Sequence, residues 1–105
     1  MEVRMSFPEV EVDGGVLRQV LADDASLMVV AFRFKEGMEG ALHNHPHVQS
    51  TFVRKGRFEF KMDGKSFTVS EGESFVIPSN AVHGCVCLED GELIDCFTPR
   101  RDDFL

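Results

Sequence analysis

Between Arg57 and Val69 the chain is patterned as a β-hairpin, and that pattern limits the fold more than any other feature. Phe58, Phe60 and Met62 alternate with Arg57, Glu59 and Lys61; Asp63-Gly64 then supplies the positive-φ pair of a tight turn, and Ser66, Phe67, Thr68 and Val69 return. A period of two puts apolar side chains on one face and charged ones on the other, so this region is a half-buried antiparallel sheet. Met28, Val30, Phe32 and Phe34 keep the same rhythm against Val29, Ala31, Arg33 and Lys35. Further strands are expected at Gln49 to Arg54, Ser74 to Ile77, His83 to Leu88 and Glu92 to Phe97, separated by Gly, Pro, Asn or Asp. No stretch of helical length sustains a 3.6-residue period. The expected class is all-β, a sandwich or barrel of short antiparallel strands. Residues 1 to 25 enter this pattern less clearly; Glu9, Val10, Glu11 and Val12 are candidates for an edge strand or an arm exchanged between subunits.

With 105 residues there is room for one domain, and ten Phe within 43% hydrophobic content can fill one core. A net charge of −7, with basic residues adjacent only in short pairs such as Arg100-Arg101, argues against a nucleic-acid surface. No apolar stretch is long enough to span a bilayer and no leader pattern opens the chain, so no membrane partner and a cytoplasmic location are expected. Three cysteines cannot all pair within one chain. Cys85 and Cys87 leave the same face of one strand, a poor geometry for bridging, so reduced thiols are expected. A small acidic barrel with an uncommitted N-terminal strand suits a homodimer.

Chemistry concentrates at His43, Asn44, His45, Pro46, His47, Val48 and Gln49. His43 and His45 are two apart, so on extended backbone both imidazoles leave from one face and can reach one ion. Gln49 can return to that face with a carbonyl oxygen, and His83 is a fourth candidate from far along the chain. Three neutral imidazoles and an amide oxygen suit a divalent transition ion such as Ni, Zn, Mn or Fe better than Ca or Mg. The plainer alternative is a polar loop with no ion. Cys87 is either a neighbour of this pocket or a small core residue.

These residues carry a resemblance. Gly37-x5-His43-x-His45-x3-Gln49-x6-Gly56 resembles the first motif of the cupin superfamily, with Gln in place of the usual Glu. Gly72-x5-Pro78-x-Asn80-x2-His83-x3-Cys87 resembles the second, with Asn80 in place of Gly and Cys87 in place of Asn. The resemblance implies a jelly-roll barrel, or double-stranded β-helix, with His43, His45, Gln49 and His83 around a metal. Neutral Gln49 would leave the ion its full double charge, which favours an acidic ligand and makes oxygen-activating chemistry less attractive.

Near the C-terminus, Asp95, Phe97, Pro99 and Arg101 follow the order Asp-x-Phe-x-Pro-x-Arg, which resembles the end of the small pectin-degradation cupins called KdgF. That resemblance implies conversion of 4,5-unsaturated monouronates, from pectin or alginate breakdown, to the linear 5-keto uronate. It implies Asp95 and Arg101 as catalytic groups and Phe97 and Arg101 as substrate-binding groups, with Arg101 offering a two-pronged grip on a carboxylate. Two other classes use the same cradle: a cupin that binds a small acidic sugar as a sensor, and an iron-dependent dioxygenase. His47 has no assigned task.

Overall fold

The computed structural model describes residues 7–105. A short strand β1 (Glu9–Glu11) turns through Asp13–Gly15 into β2 (Leu17–Asp24), and β3 (Leu27–Phe34) follows. Then come β4 (Glu39–His43), β5 (Val48–Met62), β6 (Lys65–Ser70), β7 (Ser74–Ile77) and β8 (His83–Thr98). All pairings are antiparallel; the sheet runs β1-β2-β3-β8-β5-β6, while β4 also pairs with β8 and β7 with β5. The hairpin forms where Asp63-Gly64 predicts it, with φ of 48° and 82° at the two turn residues and Met62 paired to Lys65. Among the described residues no helix is long and apolar enough to cross a membrane.

Where the sequence suggests four strands, the structure has two long ones. Gln49 to Arg54 and Arg57 to Met62 merge into β5, and His83 to Leu88 and Glu92 to Phe97 merge into β8. The two pair along their whole length, from Val48 opposite Thr98 to Met62 opposite His83, with irregularities between Val53 and Phe58. At this elbow Gly56 adopts φ of +82°, and a Cβ there would lie 2.5 Å from the carbonyl oxygen of Asp90. Glycine signals that looked like strand ends therefore bend one continuous ribbon. Across the elbow the buried positions of β5 change from Gln49, Thr51 and Val53 to Phe58 and Phe60.

Two further strands, β2 and β4, lie where no strand is expected from the sequence. Neither alternates cleanly: Leu17-Arg18-Gln19 mixes polar and apolar residues on both faces, and β4 is mostly exposed. Their partners decide them, β2 closing a hairpin with β3 and β4 lying along β8. The candidate arm at Glu9–Val12 supplies β1, which pairs with β2 of its own chain; residues 1–6 lie outside the described residues.

One interior cluster gathers Val16, Phe34, Val53, Phe58, Phe60, Val69, Cys87 and Leu93; a second holds Val20, Met28, Val30 and Phe97. Cys87 thus belongs to the core, not to the pocket, and its thiol donates to the Glu89 carbonyl at 2.9 Å. Outside, one polar row crosses five strands in their sheet order. Arg33 bonds Glu9 at 2.6 Å, Gln19 at 2.8 Å and Glu92 at 2.7 Å, and Arg54 takes the other Glu92 oxygen. Burial raises the Glu92 carboxyl, but Arg54 and Arg33 outweigh it and hold the group below its usual range.

The C-terminal tail folds back over the open end. Arg100 grips Asp23 of β2 through two bonds of 3.0 and 2.7 Å, and the turn Asp102–Phe104 lays Phe104 edge-on against Phe32 and Phe97.

Candidate metal centre and pocket

The fold brings His43, His45 and His83 together. His43 ends β4 and is the cross-strand partner of His83, the first residue of β8, while His45 lies in the loop leading to β5. That loop is stapled from outside: the Asn80 N–H donates to the His45 carbonyl at 2.8 Å, and the Ser79 hydroxyl donates to the Pro46 carbonyl at 2.6 Å. Asn80 has φ of 66°, a left-handed conformation that Asn tolerates better than most residues, so this departure from the usual Gly is accommodated. The three rings stand with centroids 4.4 to 5.6 Å apart, and one ring nitrogen from each falls within 4.8 Å of the others.

Each ring is oriented by the backbone. Nδ1 of His43 meets the Ala41 carbonyl at 2.8 Å, Nδ1 of His83 the Ala81 carbonyl at 2.9 Å, and Nδ1 of His45 the His47 carbonyl at 3.1 Å. A carbonyl only accepts, so Nδ1 carries the proton and Nε2 is left as a lone pair. Burial lowers the His45 and His83 pKa values, that of His83 to about 4, which keeps both rings neutral near pH 7.

Gln49 tests whether these lone pairs suit a cation. Its amide nitrogen donates to the Thr51 hydroxyl at 3.0 Å, which turns Oε1 toward His45, 2.9 Å from Nε2. With the proton of His45 on Nδ1, that contact sets two lone pairs against each other, and Nε2 of His83 is buried with no partner. A positive ion beside these atoms satisfies all of them. The spacing is also that of adjacent ligands, since two donors about 2.1 Å from one ion at right angles lie about 3 Å apart. The donor set is therefore compatible with a transition metal.

Behind it, a pocket of about 120 Å³ is lined by His43, Gln49, His83, Cys85, Asp95, Phe97 and Arg101 among others. Asp95 stands on β8 opposite Thr51, is buried, and has one carboxylate oxygen without a partner. Burial raises its pKa to about 7, against the lowering influence of Thr51, Gln49 and Arg101. Phe97, two residues on, shares this inward face and meets the His45 ring edge-on at 5.7 Å. Cys85 lines the same space, but burial pushes its thiol up to about 12, so it is an inert wall.

Arg101 reaches the pocket wall with its guanidinium 5.2 Å from the Phe97 ring and 4.2 Å from Phe104. Its Nε and Nη2 are engaged by the two Asp103 oxygens at 3.0 and 2.8 Å. The grip assigned to substrate from the sequence is thus occupied by an acid of its own tail, leaving Nη1 and a partly compensated charge. Asp103 was not singled out from sequence, where it looks like a solvated member of the run 100–103. His47 proves to be an anchor: Nε2 meets the Arg100 carbonyl at 3.1 Å, tying the loop to the tail that carries Arg101.

Residues 30–95 match the family model described as Cupin domain. Two solved structures superpose closely. An RmlC-like cupin from Shewanella frigidimarina has a TM-score of 0.90 at 38% identity, covering 94% of this chain and 89% of its own. KdgF from Halomonas has a TM-score of 0.89 at 39% identity, covering 93% of this chain and 91% of its own. Along the sequence, the pectin degradation protein KdgF of Dickeya dadantii is 36% identical over 100 residues, 93% of this chain and 91% of that protein. The chain belongs to the cupin family and, within it, to the KdgF proteins.

Proposed function

We propose that this protein is a metal-dependent enzyme of uronate breakdown that converts a 4,5-unsaturated monouronate, from pectin or alginate, to the linear 5-keto acid. The observation that carries the reading is the juxtaposition of a cation-ready donor set, His43, His45, Gln49 and His83, with a buried, unsatisfied Asp95 in one small pocket. Likeness to the pectin degradation protein of Dickeya dadantii supports the substrate class.

In this reaction the bond between C1 and the ring oxygen breaks, the C1 hydroxyl gives up its proton, a proton arrives at C4, and C5 becomes a ketone. No atoms are gained or lost, so the catalyst must move protons and stabilise negative charge on the ring oxygen. His43, His45, Gln49 and His83 would hold a divalent ion, which would supply Lewis-acid stabilisation of negative charge. Asp95 is the proton carrier, poised by its burial to hold or release a proton near neutrality. Phe97 forms the apolar wall against the sugar ring. Arg101, stiffened by Asp103 and stacked on Phe97, adds positive potential and the Nη1 donor at the same end.

The test follows the ultraviolet absorbance of the conjugated C4=C5 bond in unsaturated galacturonate, with metal-loaded protein. Expected is an acceleration of at least tenfold over spontaneous decay, about 1.4 kcal/mol off the barrier, that Asp95→Asn abolishes. Decay at the spontaneous rate with Ni, Zn, Mn and Fe each supplied overturns the enzyme reading and leaves a sugar-binding cupin.

A further inference from the structure

Arg18 stands out among the charged groups of the fold. It lies on β2 between Val16 and Val20, both buried, so the strand's alternation turns its side chain inward, opposite Phe32. An inward charge is costly unless something pairs with it. Among the described residues, Arg33, Arg54, Arg57, Arg100 and Arg101 each form an ion pair with a carboxylate, and Arg18 forms none. What holds it is a ring: its guanidinium sits 4.2 Å from the centroid of Phe104, the same ring that supports Arg101 at 4.2 Å. The two guanidinium carbons are therefore no more than twice that distance apart. Stacking immobilises a guanidinium while leaving its in-plane N–H donors free for an anion.

Arg18 lines an open groove of about 690 Å³ that also carries Asp13, Glu39, Glu59 and Lys61. Phe32, Gly40, His43 and Cys85 line both this groove and the inner pocket, so the two adjoin beside the candidate metal centre. None of the groove's three acids pairs with Arg18. Arg101, deeper in, has its Nε–Nη2 edge occupied by Asp103.

We propose that Arg18 is the anion-binding residue of this site: its guanidinium edge, unpaired among the described residues, receives the carboxylate of the acidic sugar and sets the preference for a uronate over the neutral hexose. The inference rests on the acidic-sugar reading above and adds a specificity-determining residue to it. The charge of Arg101 organises the inner end of the pocket, while Arg18 does the discriminating at its mouth.

Calorimetric titration with galacturonate and galactose tests this, because neither sugar has the reactive C4=C5 bond and binding is read without turnover. The metal-loaded wild type is expected to bind galacturonate more tightly than galactose. Arg18→Met, which keeps an apolar stem over Phe104, should weaken galacturonate binding by about tenfold or more and leave galactose within about twofold; Arg18→Lys should recover part of the loss. Arg18→Gln repeats the comparison should the methionine disturb folding. Equal losses for both sugars, an unaltered galacturonate affinity in the folded variants, or a wild type with no preference for the acid each overturn the proposal. Turnover by a wild type whose Arg18 variants bind galacturonate normally would remove this role and keep the enzyme; Arg18-dependent binding without any turnover would do the reverse.

Discussion

The two halves of the β5–β8 ribbon are built on the same hydrogen-bonded ladder and put opposite materials inside. On one side of the elbow Phe58, Phe60 and Cys87 close against Phe34 and Val69, with Phe34 and Phe58 meeting edge-on at 5.1 Å. On the other, Gln49, Thr51 and Asp95 face inward beside Val53, Leu93 and Phe97, near the rings of His43, His45 and His83, with one buried oxygen of Asp95 left unsatisfied. Buried polar groups without partners cost stability, so the second half persists because the first half and the outer polar row hold the ladder in place. One half pays in packing for what the other spends on chemistry.

That contrast can be broken from either side. Asp95→Asn should show the largest effect, a loss of about 10²- to 10⁴-fold in turnover with galacturonate binding retained and folding stability unchanged or raised, because a neutral amide costs less to bury than a carboxyl. Parallel rate and urea-unfolding measurements check it; a large loss of stability would mean that Asp95 is structural. Phe58→Ala should do the converse, destabilising the fold by about 3–5 kcal/mol in urea unfolding while the surviving folded protein keeps its affinity for metal.

Removing metal with a chelator sharpens the comparison. An ion that binds only the folded site at 100 times its Kd adds about 2.7 kcal/mol, so the melting temperature should fall on chelation and recover with added ion in a concentration-dependent way. His83→Ala should abolish that dependence, and a chelation shift that survives the substitution would place the ion elsewhere. The smallest effect belongs to the polar row. Glu92 has a folded pKa below its ordinary 4.5, so its pairing contributes stability at neutral pH that is lost as pH falls through that range. Glu92→Gln should cost about 1–2 kcal/mol at pH 7, discounted for its exposed arginine partners, and the gap from wild type should close on acidification.

Local chemistry was legible in the sequence, and relations between distant residues were not. The Asp63-Gly64 turn and the flanking alternation lie within a few residues, and the hairpin stands there. His43, His45 and Gln49 were readable from spacing because they share one short segment framed by Gly37 and Gly56. Strand β2 was not, since Arg18 interrupts its inward face and Gln19 answers to Arg33 across the sheet. Nor could sequence reveal that Asp103 occupies the Arg101 fork or that Asp23 anchors the tail from 77 residues away. The elbow was misjudged because a glycine that bends a strand looks the same as one that ends it.

The elbow at residues 54–57 has a further consequence. Buried positions on β5 carry odd numbers up to Val53 and even numbers from Phe58, so this short segment acts as a phase shifter between the two halves of the strand. Substitutions elsewhere alter one contact at a time, but losing a single residue here would leave Gln49 and Thr51 facing inward while turning Phe58 and Phe60 out to water. The molecule is thereby far more tolerant of changed letters than of a changed count at this point, and a length difference at the elbow would mark a relative whose two halves had to be refitted to each other.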